Sequence, residues 1–322
     1  MTRSAYFWLP LAAGGVVLAG LALASGGSAA TTEDPVTAAT DSAASADLDE
    51  AADGADSADD AGNSAASPAA LAVFRYTGAL TQGGYLRGKV PSGTIRASLG
   101  EQALDLAPDG SFFAAFDRDS SATLTLQAEL ESGETVSEAL NVSARQWDIE
   151  RVNVARRPGG ASAAFMERRR PELSAIWDAR QQETGSQGWQ QNFIWPVEGR
   201  ISGRFGRQRI YRGEPGSYHS GLDIAPGAGV PFVAPADGVV VLARSGFSLE
   251  GGLIIIDHGM GLNSAFLHAS RIVVEEGQRV SQGDHIGNVG STGRATGPHL
   301  HWSLKWKDAR LDPLLFVGPM GE

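Results

Sequence analysis

The part of the chain that follows Trp195 contains no segment with the apolar periodicity of an amphipathic helix of ordinary length. It is rich in glycine and in short runs of β-branched and other apolar residues, which favour strands. Such runs lie at 201–205, 238–243, 252–256 and 300–304. Glycine between them permits tight turns because it tolerates positive φ. The pattern predicts an antiparallel, largely helix-free sheet over residues 195–322, in a chain that is mainly β.

Residues 71–154 have a different texture, in which short strand-like runs alternate with turn signals. The clearest run is Thr123–Ala128, where every second residue is apolar. The spacing of the turns predicts a smaller, β-sandwich-like domain that precedes the Gly-rich sheet. This segment has no histidine and no cluster of reactive side chains, so we expect a structural or docking role. The turn signals are Gly83-Gly84, Pro91-Ser92-Gly93, Pro108-Asp109-Gly110 and Ser132-Gly133.

Residues 155–194 are predicted to be a short helical connector between these two domains. Leu173, Ile176 and Trp177 recur at helical spacing within the run 172–183, directly after Pro171. The arginine run at 168–170 reads as a solvated helix face, and the alternative is contact with an anionic polymer or lipid.

The first 30 residues are predicted to be an export segment. Ala5–Ala24 is uncharged and mostly apolar, with Arg3 before it and small residues after it. A run of this length is compatible with a cleaved signal peptide and with a helix, residues 5–24, that anchors the chain in the inner membrane. Both alternatives place residues 31–322 outside the cytoplasm, in the periplasm or cell envelope.

The net charge of −11 is concentrated in one tract. Residues 31–70 contain ten acidic side chains and no Lys or Arg, among mostly Ala, Ser, Thr and Gly. Such a composition cannot bury enough apolar surface to fold, so we expect a disordered acidic linker, with a recruitment role as the alternative. With 37 acidic against 26 basic residues, the chain is not suited to neutralising nucleic-acid phosphates, and no nucleic-acid partner is expected.

Four of the six histidines belong to patterns that suit a metal ion. The chain has no Cys, so His, Asp or Glu must provide any ligands. His219 and Asp223 are four apart, and His299 and His301 are two apart, so on strands each pair would point to one side. Zinc held by two His and one Asp keeps a fourth position for water. His268 is a candidate neutral base beside such a site.

Other conspicuous side chains have a structural interpretation. His258 and His285 lie beside glycine or in a Gly-Asp turn, which is typical of turn or core histidines. Phe266, Trp302 and Trp306 are expected in the core or in the wall of a groove.

These motifs together resemble the lysostaphin or LytM-type zinc metallopeptidases over most of 195–317. Phe266 departs from the tyrosine that the family often has there, and His285 stands where Glu or Gln is more usual. The matching segments are His219-x-x-x-Asp223, residues 234–238, 256–259, 266–268 and 277–293, and Thr296-Gly297-Pro298-His299-Leu300-His301.

The resemblance implies a peptidoglycan endopeptidase and assigns roles to five residues. His219, Asp223 and His301 would bind one Zn²⁺ per peptidase domain, and His268 and His299 would be the catalytic pair. Peptidoglycan is the implied partner, and the resemblance leaves protein partners open.

Two other functions compete with this interpretation. LytM-type proteins that have lost ligands act as non-hydrolytic regulators that activate cell-wall amidases, whereas this chain retains all three expected ligands. The segment 280–287 also resembles the hairpins of biotinyl, lipoyl and sugar-phosphotransferase carrier domains, but the predicted export segment argues against a cytosolic carrier.

Overall fold

The computed structural model describes residues 73–156 and 161–321. The described chain is mainly β with antiparallel sheets, which confirms the predicted fold class. The predicted export segment (1–30) and acidic linker (31–70) lie outside the described residues. Among the residues that are described, no helix is both long and apolar enough to cross a membrane.

The strands before residue 157 are β1 (Arg75–Gly78), β2 (Tyr85–Lys89), β3 (Thr94–Leu99), β4 (Gln102–Ala103), β5 (Ser111–Ala115), β6 (Thr123–Leu130), β7 (Thr135–Asn141) and β8 (Ile149–Val152). Helix α1 (Ala163–Arg180) follows. The later strands are β9 (Arg200–Gly203), β10 (Gln208–Tyr211), β11 (Glu214–Tyr218), β12 (Leu222–Ala225), β13 (Pro231–Val233), β14 (Gly238–Phe247), β15 (Gly251–Gly259), β16 (Leu262–Leu267), β17 (Arg271–Ile272), β18 (Arg279–Val280), β19 (His285–Asn288), β20 (Leu300–Trp306) and β21 (Ala309–Leu311). Single 3-10 turns lie at Gly188–Gln190 and Pro313–Leu315.

The first seven strands form two antiparallel sheets, ordered β1-β2-β5 and β4-β3-β6-β7. Strand β6 has the predicted alternation, and its residues Leu126, Ala128 and Leu130 are buried. Leu126 and Ala128 belong to one core with Phe112 and the other buried side chains of β5. This arrangement is the predicted sandwich-like unit.

A larger antiparallel sheet, ordered β18-β14-β15-β16-β20-β12-β9 with β21 beside β20, dominates residues 195–321. Every residue of β15 is buried because both faces of the sheet are covered there. One face carries Ile254, Ile256 and Trp302 into the main core. The small sheet β13-β19-β17 packs onto the same core through Phe232 and Ile286.

Helix α1 covers the opposite face of this sheet. Ala175, Ile176 and Ala179 pack there against apolar side chains of β14, β15 and β16. The helix begins nine residues before the predicted start at Glu172, because Ser162 caps it by accepting the Phe165 N–H at 3.1 Å. Pro171 therefore lies inside the helix instead of preceding it, although its ring nitrogen has no proton to donate.

A buried ion cluster fastens α1 to the turn between β14 and β15. Arg169, which is 6% exposed, lies 2.7 Å from a Glu172 carboxylate oxygen and 2.5 Å from one of Glu250. Burial alone lowers the pKa of Arg169, but the two carboxylates outweigh it and raise this pKa. Glu172 also accepts hydrogen bonds from the amide and hydroxyl of Ser248. The arginine run is therefore not uniformly solvated.

The two β regions share one core. Phe113 and Trp306 contact edge to face with ring centroids 6.3 Å apart, and Tyr85 stacks on Phe316 at 4.2 Å. Strand β8 also adds to β10 in parallel, in a small sheet ordered β11-β10-β8. The described residues, 73–156 and 161–321, fall in one compact unit, and the boundaries at 154 and 194 stay predictions.

Replacing Arg169 with Ala removes the cation, which leaves the largely buried Glu250 carboxylate without its ion-pair partner and Glu172 with only its hydrogen bonds from Ser248. We expect Arg169→Ala to lower the free energy of unfolding by about 3–5 kcal/mol. The matched control is Arg170→Ala, whose pair with Glu167 has side chains 73% exposed on both partners and is worth below about 1 kcal/mol. Urea unfolding of the full chain measures both, and equal losses would contradict the structural role of Arg169.

Candidate metal centre

Three polar side chains converge where β12 meets β20. Asp223 on β12 lies directly opposite His301 on β20 in the antiparallel register. His219 lies between β11 and β12, so the single strand predicted for His219 and Asp223 is not what brings them together. The chain bends at Gly221, and this bend returns the His219 ring to Asp223.

The potential ligand atoms of this cluster lie at hydrogen-bonding distance from one another. Asp223 Oδ1 is 3.0 Å from His219 Nε2 and 2.8 Å from His301 Nδ1. The two ring nitrogens are 3.1 Å apart. Among the described residues, these three form the one group of His, Asp or Glu ligands close enough to share a metal ion.

A backbone carbonyl group fixes the orientation of the His219 imidazole. His219 Nδ1 lies 3.0 Å from the carbonyl oxygen of Arg204, so this nitrogen donates its proton and Nε2 presents a lone pair to the cluster. Two neutral imidazole lone pairs and a carboxylate oxygen are a donor set that suits a divalent metal ion of the zinc type. The residues therefore fit the metal that the motifs imply.

Two glycines leave the space that the ligands occupy. A Cβ at Gly203, which pairs with Asp223 across β9 and β12, would lie 2.3 Å from Asp223 Oδ2. A Cβ at Gly221 would lie 2.6 Å from His301 Nε2. Any larger residue at either position would displace a ligand.

The protonation of the cluster follows from its charges. Burial acts to raise the pKa of Asp223, but the hydrogen bonds with His219 and His301 hold this pKa far below its usual range. Burial acts to lower the pKa of His219, and the hydrogen bond and charge of Asp223 outweigh it and raise this pKa. The pKa of His301 is lowered, chiefly by burial.

His268 and His299 stand beside the cluster, with ring centroids 4.8 Å apart. His268 Nδ1 lies 2.8 Å from the Thr292 carbonyl oxygen, and His299 Nδ1 lies 2.8 Å from that of Gly297. Both rings therefore donate from Nδ1, and Nε2 of His299 lies 3.7 Å from Asp223 Oδ1. Burial lowers the pKa of His268 to about 4, which keeps the ring neutral near pH 7.

The backbone at His268 has φ of 68°, a left-handed conformation that side chains other than glycine rarely adopt. Its N–H donates to the carbonyl oxygen of Glu250 at 2.8 Å. This bond and the one to Thr292 hold the ring in place despite the strain. The structure thus brings all five predicted site residues into one place.

The other two histidines lie away from this cluster. His258 is fully buried, with Nδ1 2.7 Å from the Asp237 carbonyl oxygen and Nε2 2.7 Å from Ser264 Oγ. Burial lowers its pKa to about 4. His285 is exposed and contacts the Gly287 carbonyl oxygen at 3.0 Å. The carbonyl groups that orient the site histidines carry no side-chain signature, so the sequence motifs did not reveal them.

The antiparallel sheet and the His219–Asp223–His301 cluster define a domain of the metallopeptidase class. Residues 217–313 match the profile of peptidase family M23, and this span contains all five site residues. The chain therefore carries an M23 domain of the lysostaphin/LytM type, which confirms the resemblance drawn from the motifs.

Curated relatives include the peptidoglycan DD-endopeptidase ShyA of Vibrio cholerae, 41% identical over 116 residues, which are 34% of this chain and 26% of ShyA. The murein hydrolase activator NlpD of Escherichia coli is 36% identical over 123 residues, which are 38% of this chain and 30% of NlpD. The matches thus span about a quarter to a third of the length of these relatives.

A crystal structure of a candidate M23 peptidase from Pseudomonas aeruginosa is 27% identical, with a TM-score of 0.57. The alignment covers 74% of this chain and 96% of that one, so it extends into the residues that precede the sheet of the M23 domain.

The space at Gly203 generates a prediction about metal affinity. We expect Gly203→Ala to weaken binding of Zn²⁺ about tenfold or more, because the new methyl group displaces the Asp223 carboxylate. Competition with a chromogenic chelator measures this affinity. Gly318→Ala is the control, since a Cβ there meets no atom within 4 Å. Unchanged zinc affinity in Gly203→Ala would contradict the proposed position of the ion.

Proposed function

We propose that this chain is an exported zinc metalloendopeptidase that hydrolyses stem peptides or cross-links of bacterial peptidoglycan. The observation that carries the proposal is the complete cluster of His219, Asp223 and His301 with two further imidazoles beside it. The M23 match and the similarity to a peptidoglycan DD-endopeptidase support the same substrate class.

In this proposal His219 Nε2, Asp223 Oδ1 and His301 Nδ1 hold one Zn²⁺. Zinc, when bound, supplies Lewis-acid polarisation of a peptide carbonyl and lowers the pKa of water. Asp223 contributes the negative charge that favours a cation, and the Arg204 carbonyl keeps His219 in the ligating tautomer.

His268 and His299 are proposed as the catalytic pair. In the neutral ring of each, the backbone carbonyl holds the proton on Nδ1 and Nε2 carries the lone pair. Such a nitrogen can take the proton of the attacking water and, once protonated, can donate to the developing oxyanion or the leaving amine.

The proposed place of action is the periplasm or cell envelope, where peptidoglycan lies. Inner-membrane anchoring through residues 5–24 belongs to the same proposal and concerns residues outside those described. The predicted small β domain would have a structural or wall-docking role, and the core that it shares with the M23 domain supports the structural one.

A second candidate function is a regulator that activates wall amidases without hydrolysis. The similarity to the murein hydrolase activator NlpD favours it. Retention of the three potential ligands and both neighbouring histidines favours the enzyme.

Incubation of the full chain with purified peptidoglycan discriminates the two functions. We expect it to release uncross-linked stem fragments, identified by mass spectrometry, and a zinc chelator to abolish this release. A zinc-loaded protein that releases nothing alone but stimulates an amidase would overturn the enzyme in favour of the regulator.

The roles within the site are separable by substitution. His219→Ala and Asp223→Ala should lose zinc, because each removes a ligand. His299→Ala should keep zinc but lose about 10²–10⁴-fold in the rate of fragment release, the range for a lost acid–base group. Zinc content by atomic spectroscopy and rates on peptidoglycan check these expectations, with His285→Ala as the control. Full zinc retention in Asp223→Ala would refute the ligand assignment.

A further inference from the structure

The face of the sheet that carries the metal cluster continues along β20. His301, Ser303 and Lys305 alternate with the buried residues Leu300, Trp302 and Leu304. The first three side chains therefore share one face and are partly exposed. Lys305 lies four residues from His301, about 13 Å along the strand.

Two cationic side chains join Lys305 on this face. Lys305 is paired in register with Arg310 on β21 and with Asn263 on β16, so all three residues are on one side of the sheet. Arg180, at the end of α1, donates a hydrogen bond to the side-chain oxygen of Asn263. We call Arg180, Lys305 and Arg310 the cationic cluster.

The three cations of the cluster outnumber the two described carboxylates, those of Asp308 and Asp117, that its residues contact. Lys305 Nζ lies 3.3 Å from Asp308, whose side chain is 89% exposed. Among the ion pairs of the described residues, none gives Arg180 or Arg310 a carboxylate partner. The nearby carboxylate of Glu250 is engaged by Arg169.

The guanidinium groups of the two arginines contact uncharged groups, whereas the backbone N–H of Arg310 donates to an Asp117 carboxylate oxygen at 2.9 Å. Arg180 contacts an amide, and the Arg310 guanidinium lies 5.6 Å from the Tyr218 ring centroid. Burial, and then repulsion by Arg180 and Arg310, lower the pKa of Lys305. An added anion would relieve this repulsion.

The cationic cluster is also open to a ligand. Arg310 is exposed, and Lys305 and Ser303 are partly so. Tyr218, whose ring lies beneath Arg310, directly precedes His219 of the metal cluster in the chain. A peptide extended along β20 with its scissile bond near His301 would place a group three or four residues away over Lys305.

We propose that Arg180, Lys305 and Arg310 bind a carboxylate of the peptide substrate, about 13 Å from His301 along β20. This inference rests on the proposed function and adds the substrate chemistry that the site selects. Cations that converge on one carboxylate form charge-assisted hydrogen bonds with it. Arg310 is exposed, so a ligand can reach the cationic cluster from its side.

The test uses the full chain and purified peptidoglycan sacculi in two forms, native and after carbodiimide coupling to ammonia has converted carboxylates to amides. Cosedimentation gives the apparent affinity, which needs no hydrolysis. The Lys305→Gln/Arg310→Gln variant should bind native sacculi about 10–100-fold more weakly than wild type. Arg310→Gln alone, at an exposed position, should show a smaller loss in the same direction and guards against misfolding of the double variant.

The matched control is Arg279→Gln, which removes one positive charge from an exposed position on β18, the opposite edge strand of the sheet. It should bind as wild type does. Amidation should weaken wild-type binding about as much as the double substitution does, and it should hardly affect the double variant.

The two proposals fail in different ways. The carboxylate site would be overturned if amidation weakened binding equally in wild type and double variant. It would also be overturned if binding depended on the cationic cluster but amidation left it unchanged, which would point to another anion such as a phosphate. Fragment release with KM unchanged in the double variant would keep the enzyme and reject the site. Carboxylate-dependent binding without fragment release would keep the site and reject the hydrolysis.

Discussion

The antiparallel pairing of β12 with β20 is the constraint on which the metal cluster depends. This register places Asp223 opposite His301 and buries Leu222, Ile224, Leu300 and Trp302 on the other face. A slip of β12 by one residue would turn the Asp223 carboxylate into the core and expose Leu222 and Ile224. Burial of the apolar side chains therefore fixes the strand register, and with it the positions of the ligands, before any ion binds.

Loops complete what the strands begin. His219, His268 and His299 lie at or beyond strand ends, and each is oriented by a backbone carbonyl instead of another side chain. Backbone groups are available wherever the chain turns, and they hold one ring nitrogen while the other faces the site. Gly203 and Gly221 contribute because they have no side chain, since a methyl group at either would overlap a ligand atom. The site is thus built from strand register, carbonyl direction and empty space together.

The sequence predicted the β class and the five residues that converge, because period-two patterning and the short His motifs are local signals. The parity argument suits Asp223 and His301, which lie on strands, but His219 reaches the cluster through a bend at Gly221. The pairing of β8 with β10, the position of α1 and the convergence of Arg180 with Lys305 join residues far apart in the chain. The predicted start of α1 was wrong because Pro171 favours a helix that begins beside it. In the structure, the cap at Ser162 and the packing of α1 on the sheet outweigh the hydrogen bond that Pro171 cannot make.

Helix α1 couples the connector to the chemistry of the site. Its Arg169 holds the side chain of Glu250, and the backbone carbonyl of that same residue accepts the N–H of His268. Its last residue, Arg180, reaches Asn263 beside the proposed carboxylate site. One helix therefore supports a strained catalytic candidate through its first half and a substrate-binding candidate through its C-terminal end. Since α1 packs on the face that bears the metal cluster, its position sets both the rigidity of His268 and the charge that an incoming peptide meets.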